Sequence, residues 1–561
     1  MSALYDFSIS SFLLILVLCF LVQTTEAQNY SRLLPQHESN LSHSWHIKKL
    51  KGQDLAGVLP PSLVKLPYLK TIDVSRNYLS GTIPPEWASI KLEYMSVMVN
   101  RLSGPIPNYL GNMTTLLYMS LENNMFDGTI PKELGNMVNL QNLTLSFNNL
   151  TGRLPKEINK LTKLLELRLS GNNFTGIFPS FENLKNLTAL EILASGFEGP
   201  VPPSISVLTE MKELRISDLT GSASKFPPLE NMTGLTKLML RSCNLSGKIP
   251  SYIANMPQLK ILDLSFNRLE GPIPDMERLE KLKNFVIDLS YNNFNESSVP
   301  TTCRETLYVF FPLIFVIGTP AVVISKLHFL LLIRNLFKSY NSTKKSELGK
   351  CLSSNDCSKN WYSVHINCGG ESVTIGDTTY EADEDSAGAA KFVYLKESWG
   401  SSNTGDFWDR PIALNEYKAT NVSSIKGSNS ELYTAARLSA LSLTYYGRCL
   451  ANGNYTVTLH FAEIVIRDNR SFQSLGKRMF DIYVQGEREL KDFDITTAAG
   501  GVDKPLTRKF NAVVEDGILE VRFQYAGKGT TAVPRRGSYG PLVSAISFEA
   551  SNTTITLWFT Y

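Results

Sequence analysis

No single sign of charge dominates this sequence. Its 55 Lys and Arg stand against 52 Asp and Glu, a formal net charge of +3. That balance excludes the electrostatic footprint of a nucleic-acid binder, and no Lys/Arg stripe supplies one locally. Histidine is scarce, at six residues, and none lies in an H-E-x-x-H, which removes a common zinc-hydrolase signature. The G-x-G-x-x-G, H-R-D and D-F-G motifs of protein kinases are absent from these residues. The acidic run "EADEDSAG" at 381–388 reads as a solvated loop. A glycosidase needs two carboxylates across a cleft, and the spacing nominates no such pair. No catalytic residue, metal set or cofactor is therefore nominated.

Cysteine is also sparse, at seven residues. "SFLLILVLCFLV" (11–22) reads as the apolar core of a secretory signal, although a basic start is missing from "MSALYDF". Ala27 is the expected last signal residue, so Cys19 leaves with it. Cys243, Cys303, Cys351, Cys357, Cys368 and Cys449 remain, and six cysteines allow 15 full pairings. N-x-S/T sequons, among them Asn112, Asn231, Asn421 and Asn454, spread over both halves of the chain. Behind a signal they point to the secretory lumen, where bridges form.

What is abundant is a repeat. "LKTIDVSRNYLSGTIP", "LLYMSLENNMFDGTIP", "LQNLTLSFNNLTGRLP" and "LKILDLSFNRLEGPIP" follow one template, L-x-x-L-x-L-x-x-N-x-L-x-G-x-I-P. Its N position falls at residues 53, 77, 100, 124, 148, 172, 195, 219, 243, 267 and 292, a period of 23–25. A period of this length means a stacked solenoid, since one coil cannot bury its own core. The L-x-L segment predicts a short strand with leucines turned inward. The Asn predicts a side chain that bonds backbone groups no ladder reaches. Cys243 stands at an N position, so it is expected to be a buried rung and unbridged. Ser195 and Leu219 break the pattern, and the solenoid is expected to deform near 195–230.

After residue 361 the period vanishes and alternation by two takes over. Tyr455, Val457, Leu459 and Phe461 share one face, as do Phe480, Ile482 and Val484, and then Leu519, Val521 and Phe523. Many short strands with Gly-containing turns predict a β-sandwich.

The 24-residue unit with G-x-I-P resembles the plant extracellular leucine-rich repeat. The resemblance implies an α/β-type solenoid with a parallel β-sheet on its concave face, and ligands that are peptides, proteins or co-receptors. The family's N-terminal cysteine pair is missing from "QNYSRLLPQHESNLSHSWHIKKLKG". "HINCGG", "YEAD", "LTYYGRCLANGNYTVTLHFAEI", "MFDIYVQG" and "GPLVSAISFEA" together resemble the malectin domain, an all-β carbohydrate-binding sandwich. Carried over from that family, Trp399, Tyr433, Tyr445 and Tyr446 are the candidate glycan-stacking aromatics. Val465 and Ile466 stand where the family has an aromatic pair, and "GSYGPL" replaces a loop that carries Asp. Cys368 and Cys449 lie in family motifs and are the expected bridge. On the concave face the outward column reads Asp73, Ser96, Ser120, Thr144, Arg168, Glu191, Arg215, Met239 and Asp263. Arg168, Glu191, Arg215, Met239 and Asp263 are the candidate ligand contacts.

The expected partition is a signal at 1–27, a cap region at 28–46, repeats at 47–303, an apolar insert or linker at 304–350, a Cys-containing linker at 351–361, the malectin-like domain at 362–550 and a tail at 551–561. In order, these domains resemble the ectodomain of a plant leucine-rich-repeat receptor-like serine/threonine kinase, read here as truncated before the membrane span and kinase. "LYVFFPLIFVIGTPAVVIS" (307–325) carries no charge and is long enough to span a bilayer. Used as a span, it would place the malectin domain in the cytosol by the positive-inside rule. The stretch from about 307 to 345 is therefore read as extra coding sequence, with a membrane anchor or a packed helical linker as the alternatives. The functional expectation is a ligand-sensing region on the extracellular side of the plasma membrane. It would bind a peptide, protein or oligosaccharide together with a co-receptor kinase. A secreted decoy or inhibitor, or a scaffold that only pairs with a co-receptor, stays open beside it.

Overall fold

The computed structural model describes residues 45–47, 50–275, 286–294, 333–335 and, with short interruptions, 357–551. The signal, most of the cap region, the 307–325 stretch, Cys303, Cys351 and nearly all of the tail lie outside the described residues. The chain divides into two compact units. The first comprises 1–198, 466–476 and 532–535; the second comprises 199–465, 477–531 and 536–561.

In the first unit the L-x-L segments form strands at Leu69–Asp73, Tyr94–Ser96, Tyr118–Ser120, Asn142–Thr144, Glu166–Arg168 and Ala189–Leu193. Each pairs in parallel with the next, one coil on, and Trp45–Ile47 precedes them. In this register Ile72, Met95, Met119, Leu143, Leu167 and Leu190 form one buried row. A second parallel ladder runs through Ala56–Val58, Tyr78–Gly81, Arg101–Pro105, Met125–Thr129, Asn149–Gly152 and Asn173–Phe174. The I-P of the template shapes the third side. Pro60, Pro84, Pro107, Pro131 and Pro155 each precede a short 3-10 helix with φ between −61 and −77°, the value their rings impose.

The rung asparagines tie the coils together. Asn148 Nδ2 donates to the carbonyls of Leu121, Leu145 and Ser146 at 3.0, 3.1 and 3.3 Å. Its Oδ1 accepts the Phe126 N–H at 3.0 Å. Asn77, Asn100, Asn124, Asn172, Asn267 and Asn292 repeat the arrangement. At Cys243 the thiol faces the carbonyls of Arg241 and Ile216 at 3.2 and 3.5 Å, and the residue is buried and unbridged, as expected. The residue before each rung is left-handed. Arg76, Val99, Asn123, Phe147, Gly171, Ala194, Asp218, Ser242, Phe266 and Tyr291 have φ between 43 and 60°. For an L-residue this costs ~1–2 kcal/mol, and only one of these ten is glycine, so the ladder bears the strain.

In the second unit, Glu213–Ser217, Lys237–Arg241, Ile261–Asp263 and Val286–Asp288 continue the pattern as parallel strands. The outer ladder ends at Asn173–Phe174 in the first unit and a separate one starts at Ser224–Lys225 in the second. The break coincides with Ser195 and Leu219, the coils without a rung amide. A further strand, Ile333–Asn335, pairs in parallel with Val286–Asp288. These three residues lie within the 304–350 insert or linker. The last strand of a stack leaves N–H and C=O groups unpaired, and residues 333–335 cover them.

The sandwich has two six-stranded sheets. One runs in the order Val373–Ile375, Thr378–Ala382, Ser363–Asn367, Ala545–Ala550, Gly453–Phe461, Leu506–Val514. The other runs Phe392–Tyr394, Trp399–Thr404, Ser442–Gly447, Leu519–Gly529, Arg478–Val484, Glu487–Phe493. A three-stranded sheet of Lys418–Thr420, Ala435–Leu438 and Leu542–Val543 accompanies them. The alternating faces expected from sequence meet in one core, where Phe461, Phe480, Phe493 and Phe523 pack edge-on or tilted. Among the described residues no helix is long and apolar enough to cross a membrane.

Replacing Asn148 by Ala strips partners from buried backbone groups on two coils. Each orphaned group costs ~1–3 kcal/mol, so Asn148→Ala should lower the urea midpoint markedly. Cys243→Asn, which restores the rung amide, should leave it unchanged or raise it.

Candidate ligand-binding surfaces

The expected outward column exists, and it is buried in both units except at Arg168: Asp73, Ser96, Ser120, Thr144 and Glu191 are no more than 8% exposed. In the first unit Asp73, Ser96, Ser120, Thr144, Arg168 and Glu191 are register partners. The Arg168 side chain is 32% exposed. Its guanidinium bonds Glu166 and reaches Glu191 at 3.9 Å. The adjacent row carries Tyr94 and Tyr118, stacked at 4.3 Å with 7° between the rings. Asn142 Nδ2 donates to Glu166 Oε2 at 2.7 Å beside them. Tyr94 and Tyr118 were not among the nominated residues. Their signal was a "YMS" recurring one coil apart.

In the second unit Arg215, Met239 and Asp263 are 5, 3 and 2% exposed, so they do not form the open surface expected of them. At the last coils the chain's own sandwich meets this face through Phe266, Asp288 and Tyr291. Phe266 packs against the cluster of Phe407, Tyr417, Tyr525 and Tyr539. Tyr291 stacks on Phe266 at 4.2 Å. The Arg522 guanidinium lies 5.5 Å from the Phe266 ring, 5.3 Å from Tyr291 and 3.8 Å from Tyr483. Tyr291 and Thr444 share a hydroxyl hydrogen bond at 3.3 Å, and the Gly405 N–H donates to Asp288 Oδ2 at 3.0 Å.

The first unit has a contact of the same kind. The Phe472 N–H donates to Asp54 Oδ1 at 2.9 Å, and Arg76 lies over the Phe472 ring at 5.8 Å. Val99, Ala532 and Val533 form a buried cluster flanked by Met98, Phe472 and Leu475. Arg76, Val99, Phe266 and Tyr291 are all left-handed residues of the column before the rungs.

The four candidate glycan aromatics are buried. Trp399 is fully enclosed and donates Nε1–H to Glu381 Oε2 at 3.0 Å. Tyr445 donates to Asp383 Oδ2 at 2.5 Å, and Arg437 holds the same carboxylate at 2.5 and 2.9 Å. Tyr433 shares a hydrogen bond with His460 Nδ1 at 3.1 Å. Burial, then His365 and Lys509, push His460 down to about 4, so this imidazole is neutral. Tyr446 shares a hydrogen bond with Ser402 Oγ at 3.3 Å and borders Tyr291. With the domain closed as it stands, none of the four turns a ring face outward to stack on a sugar. They serve the core and the junction.

Cys449 pairs with Cys357, with Cα atoms 5.6 Å apart, and Cys368 is a buried free thiol. This replaces the expected Cys368–Cys449 bridge. The Cys368 side chain points into the core beside Asp383, and burial followed by that carboxylate raises its thiol well above the usual range. Cys449 instead lies on a left-handed turn whose carbonyl accepts the Trp361 N–H at 2.7 Å, where 357–361 passes. Of the sequon residues, Asn112, Asn231 and Asn454 are exposed and Asn421 is half-buried. No cluster of three or more metal-ligating side chains occurs among the described residues.

A leucine-rich-repeat solenoid with a malectin sandwich is the class these elements define. Residues 362–546 match the malectin domain family, and 68–90, 139–161, 163–184, 234–256 and 258–278 match the Leucine Rich Repeat. Over most of its length the chain resembles plant leucine-rich-repeat receptor-like kinases. One probable LRR receptor-like serine/threonine-protein kinase of Arabidopsis thaliana is 44% identical over 554 residues, 92% of this chain and 52% of that protein. Another is 45% identical over 315 residues, 51% of this chain and 28% of that protein. The chain thus spans about half or less of these relatives. Among solved structures, the ectodomain of the Arabidopsis receptor kinase HAESA with a peptide hormone is 33% identical, at a TM-score of 0.40. That match covers 43% of this chain and 41% of that one.

Two outcomes check this geometry. Arg522→Ala removes a cation–π contact to three rings, each worth ~0.5–2 kcal/mol, and should open the junction to protease at a lower temperature than in the parent. Peptide mapping without reduction should recover a Cys357–Cys449 cross-link, with Cys368 alkylated only after unfolding.

Proposed function

We propose that this chain is the extracellular ligand-sensing region of a receptor-like kinase, on the outer side of the plasma membrane. The observation that carries the reading is the 44% identity to such a kinase across 92% of the chain, with repeats and malectin domain in one order. In this reading the chain senses and does not phosphorylate, since the kinase motifs are absent from these residues. The ligand is a peptide, protein or oligosaccharide, recognised together with a co-receptor kinase.

The surface best suited to it is the concave face of the first unit. Tyr94 and Tyr118 offer half-exposed ring edges. Glu166 and Arg168 offer charges of both signs, with Glu191 buried beside them. Such a mixture of aromatic and paired charge is what selective interfaces use at their centres.

The test is a chimera in which this chain replaces the ectodomain of a related kinase, displayed on plant cells. Secreted peptide fractions and cell-wall oligosaccharides are applied, and autophosphorylation is read. One class should trigger a response that Arg168→Glu with Tyr118→Ala abolishes, with surface display and melting temperature preserved. A response from neither class, or one indifferent to both substitutions, would count against the reading.

A further inference from the structure

Two carboxylates stand side by side where the sandwich meets the last coils. Asp263 and Asp288 are register partners on adjacent parallel strands, and such strands lie only ~4.8 Å apart. Each is 2% exposed. Each uses one oxygen locally. Asp263 Oδ1 accepts the Ser265 N–H and hydroxyl at 3.0 and 2.6 Å. Asp288 Oδ1 accepts the same groups of Ser290 at 3.1 and 2.6 Å.

The second oxygens differ. Asp288 Oδ2 accepts the Gly405 N–H of the sandwich at 3.0 Å. Asp263 Oδ2 is buried with no partner among the described residues. A bare carboxylate oxygen beside a second buried carboxylate is costly, and the usual resolution is that one of the pair stays protonated. Arg241 does not resolve it alone, because it is ion-paired with Asp218 at 2.7 Å. Of the other titratable or charged groups, Asp218 acts on Asp263 and Tyr291 faces Asp288, while Glu520 and Arg522 surround Tyr291 and Tyr525 faces Arg241. Gly405 is fixed where it is. Its φ is +78°, and a Cβ there would stand 2.5 Å from Leu441 Cβ.

We propose that the docked junction keeps one proton on the Asp263–Asp288 pair, so that docking of the sandwich on the last coils takes up a proton and tightens as pH falls. Burial first, and then the charge of Asp263, push Asp288 up to about 7. Burial raises Asp263 as well. A solvated Asp titrates near ~3.9. The group is raised in the docked state, so its stabilising term is complete below the solvated value and is lost as pH rises through about 7. Between those limits the docking equilibrium shifts by up to about tenfold per pH unit.

The experiment is amide hydrogen exchange of the full chain between pH 5 and 8, corrected for the intrinsic pH dependence of exchange. Protection at Gly405 and across Val286–Asp288 should rise as pH falls, by up to about tenfold per unit. Asp288→Asn is near-isosteric and permanently neutral, and should give a flat profile, at a level lowered by the one N–H, of Gly405 or Ser290, that its NH2 cannot accept. Parallel profiles for parent and variant, or protection lost in acid, would overturn the proposal. If circular dichroism shows that Asp288→Asn does not fold, Asp263→Asn takes its place. Removing the neighbouring charge should move the midpoint of the profile to lower pH, and an unmoved midpoint would overturn the proposal equally.

Discussion

The solenoid depends on one side-chain amide per coil. Each turn into the concave strand leaves carbonyls and N–H groups that no ladder reaches, and the rung Asn answers them on its own coil and the one before. The bonds cross coils, so each amide ties two neighbouring coils together. The residue before each rung position is left-handed whatever its side chain, and it stays so before Ser195, Leu219 and Cys243, where the amide is missing. Where the amide is missing, at Ser195 and Leu219, the outer ladder is interrupted. Where a thiol replaces it, at Cys243, the contacts lengthen but the rung is kept.

That left-handed column has a second use. The side chains it presents differ from coil to coil, since the backbone there is fixed by the ladder and not by the residue. Phe266 and Tyr291 meet the sandwich in the second unit, and Arg76 and Val99 meet the 466–476 and 532–535 segments in the first. The concave face of the last coils is therefore an intramolecular junction. Its polar centre is Asp288 with Gly405, and its apolar cover is Arg522 laid across aromatic rings.

Much of this was legible from sequence. A period of 23–25 placed the strands, the rungs and the buried thiol, because every coil solves the same local problem. Alternation by two placed Tyr455, Val457, Leu459 and Phe461 in the sandwich core for the same reason. What was hidden depends on distant partners. Phe266 and Tyr291 belong to the pattern of their own coils, and the sandwich groups that meet them lie far along the chain, as the sequence separation of 153 between Tyr291 and Thr444 illustrates. Trp399 and Tyr445 look like ligand aromatics until Glu381 and Asp383 are brought beneath them. Cys357 was passed over as the partner of Cys449 because it lies on a linker with no strand pattern to place it.

The central claim is that the chain's own sandwich packs on the last coils at Phe266, Asp288 and Tyr291, while Tyr94, Tyr118 and Arg168 of the first unit stay half-exposed. Hydroxyl-radical footprinting of the native full chain tests it directly, because Tyr, Phe and Met report their own exposure. Tyr94 and Tyr118 should be oxidised readily, and Met239, Phe266 and Tyr291 should stay protected until the protein unfolds. Rapid oxidation of Met239, Phe266 and Tyr291 in the native chain would contradict the account.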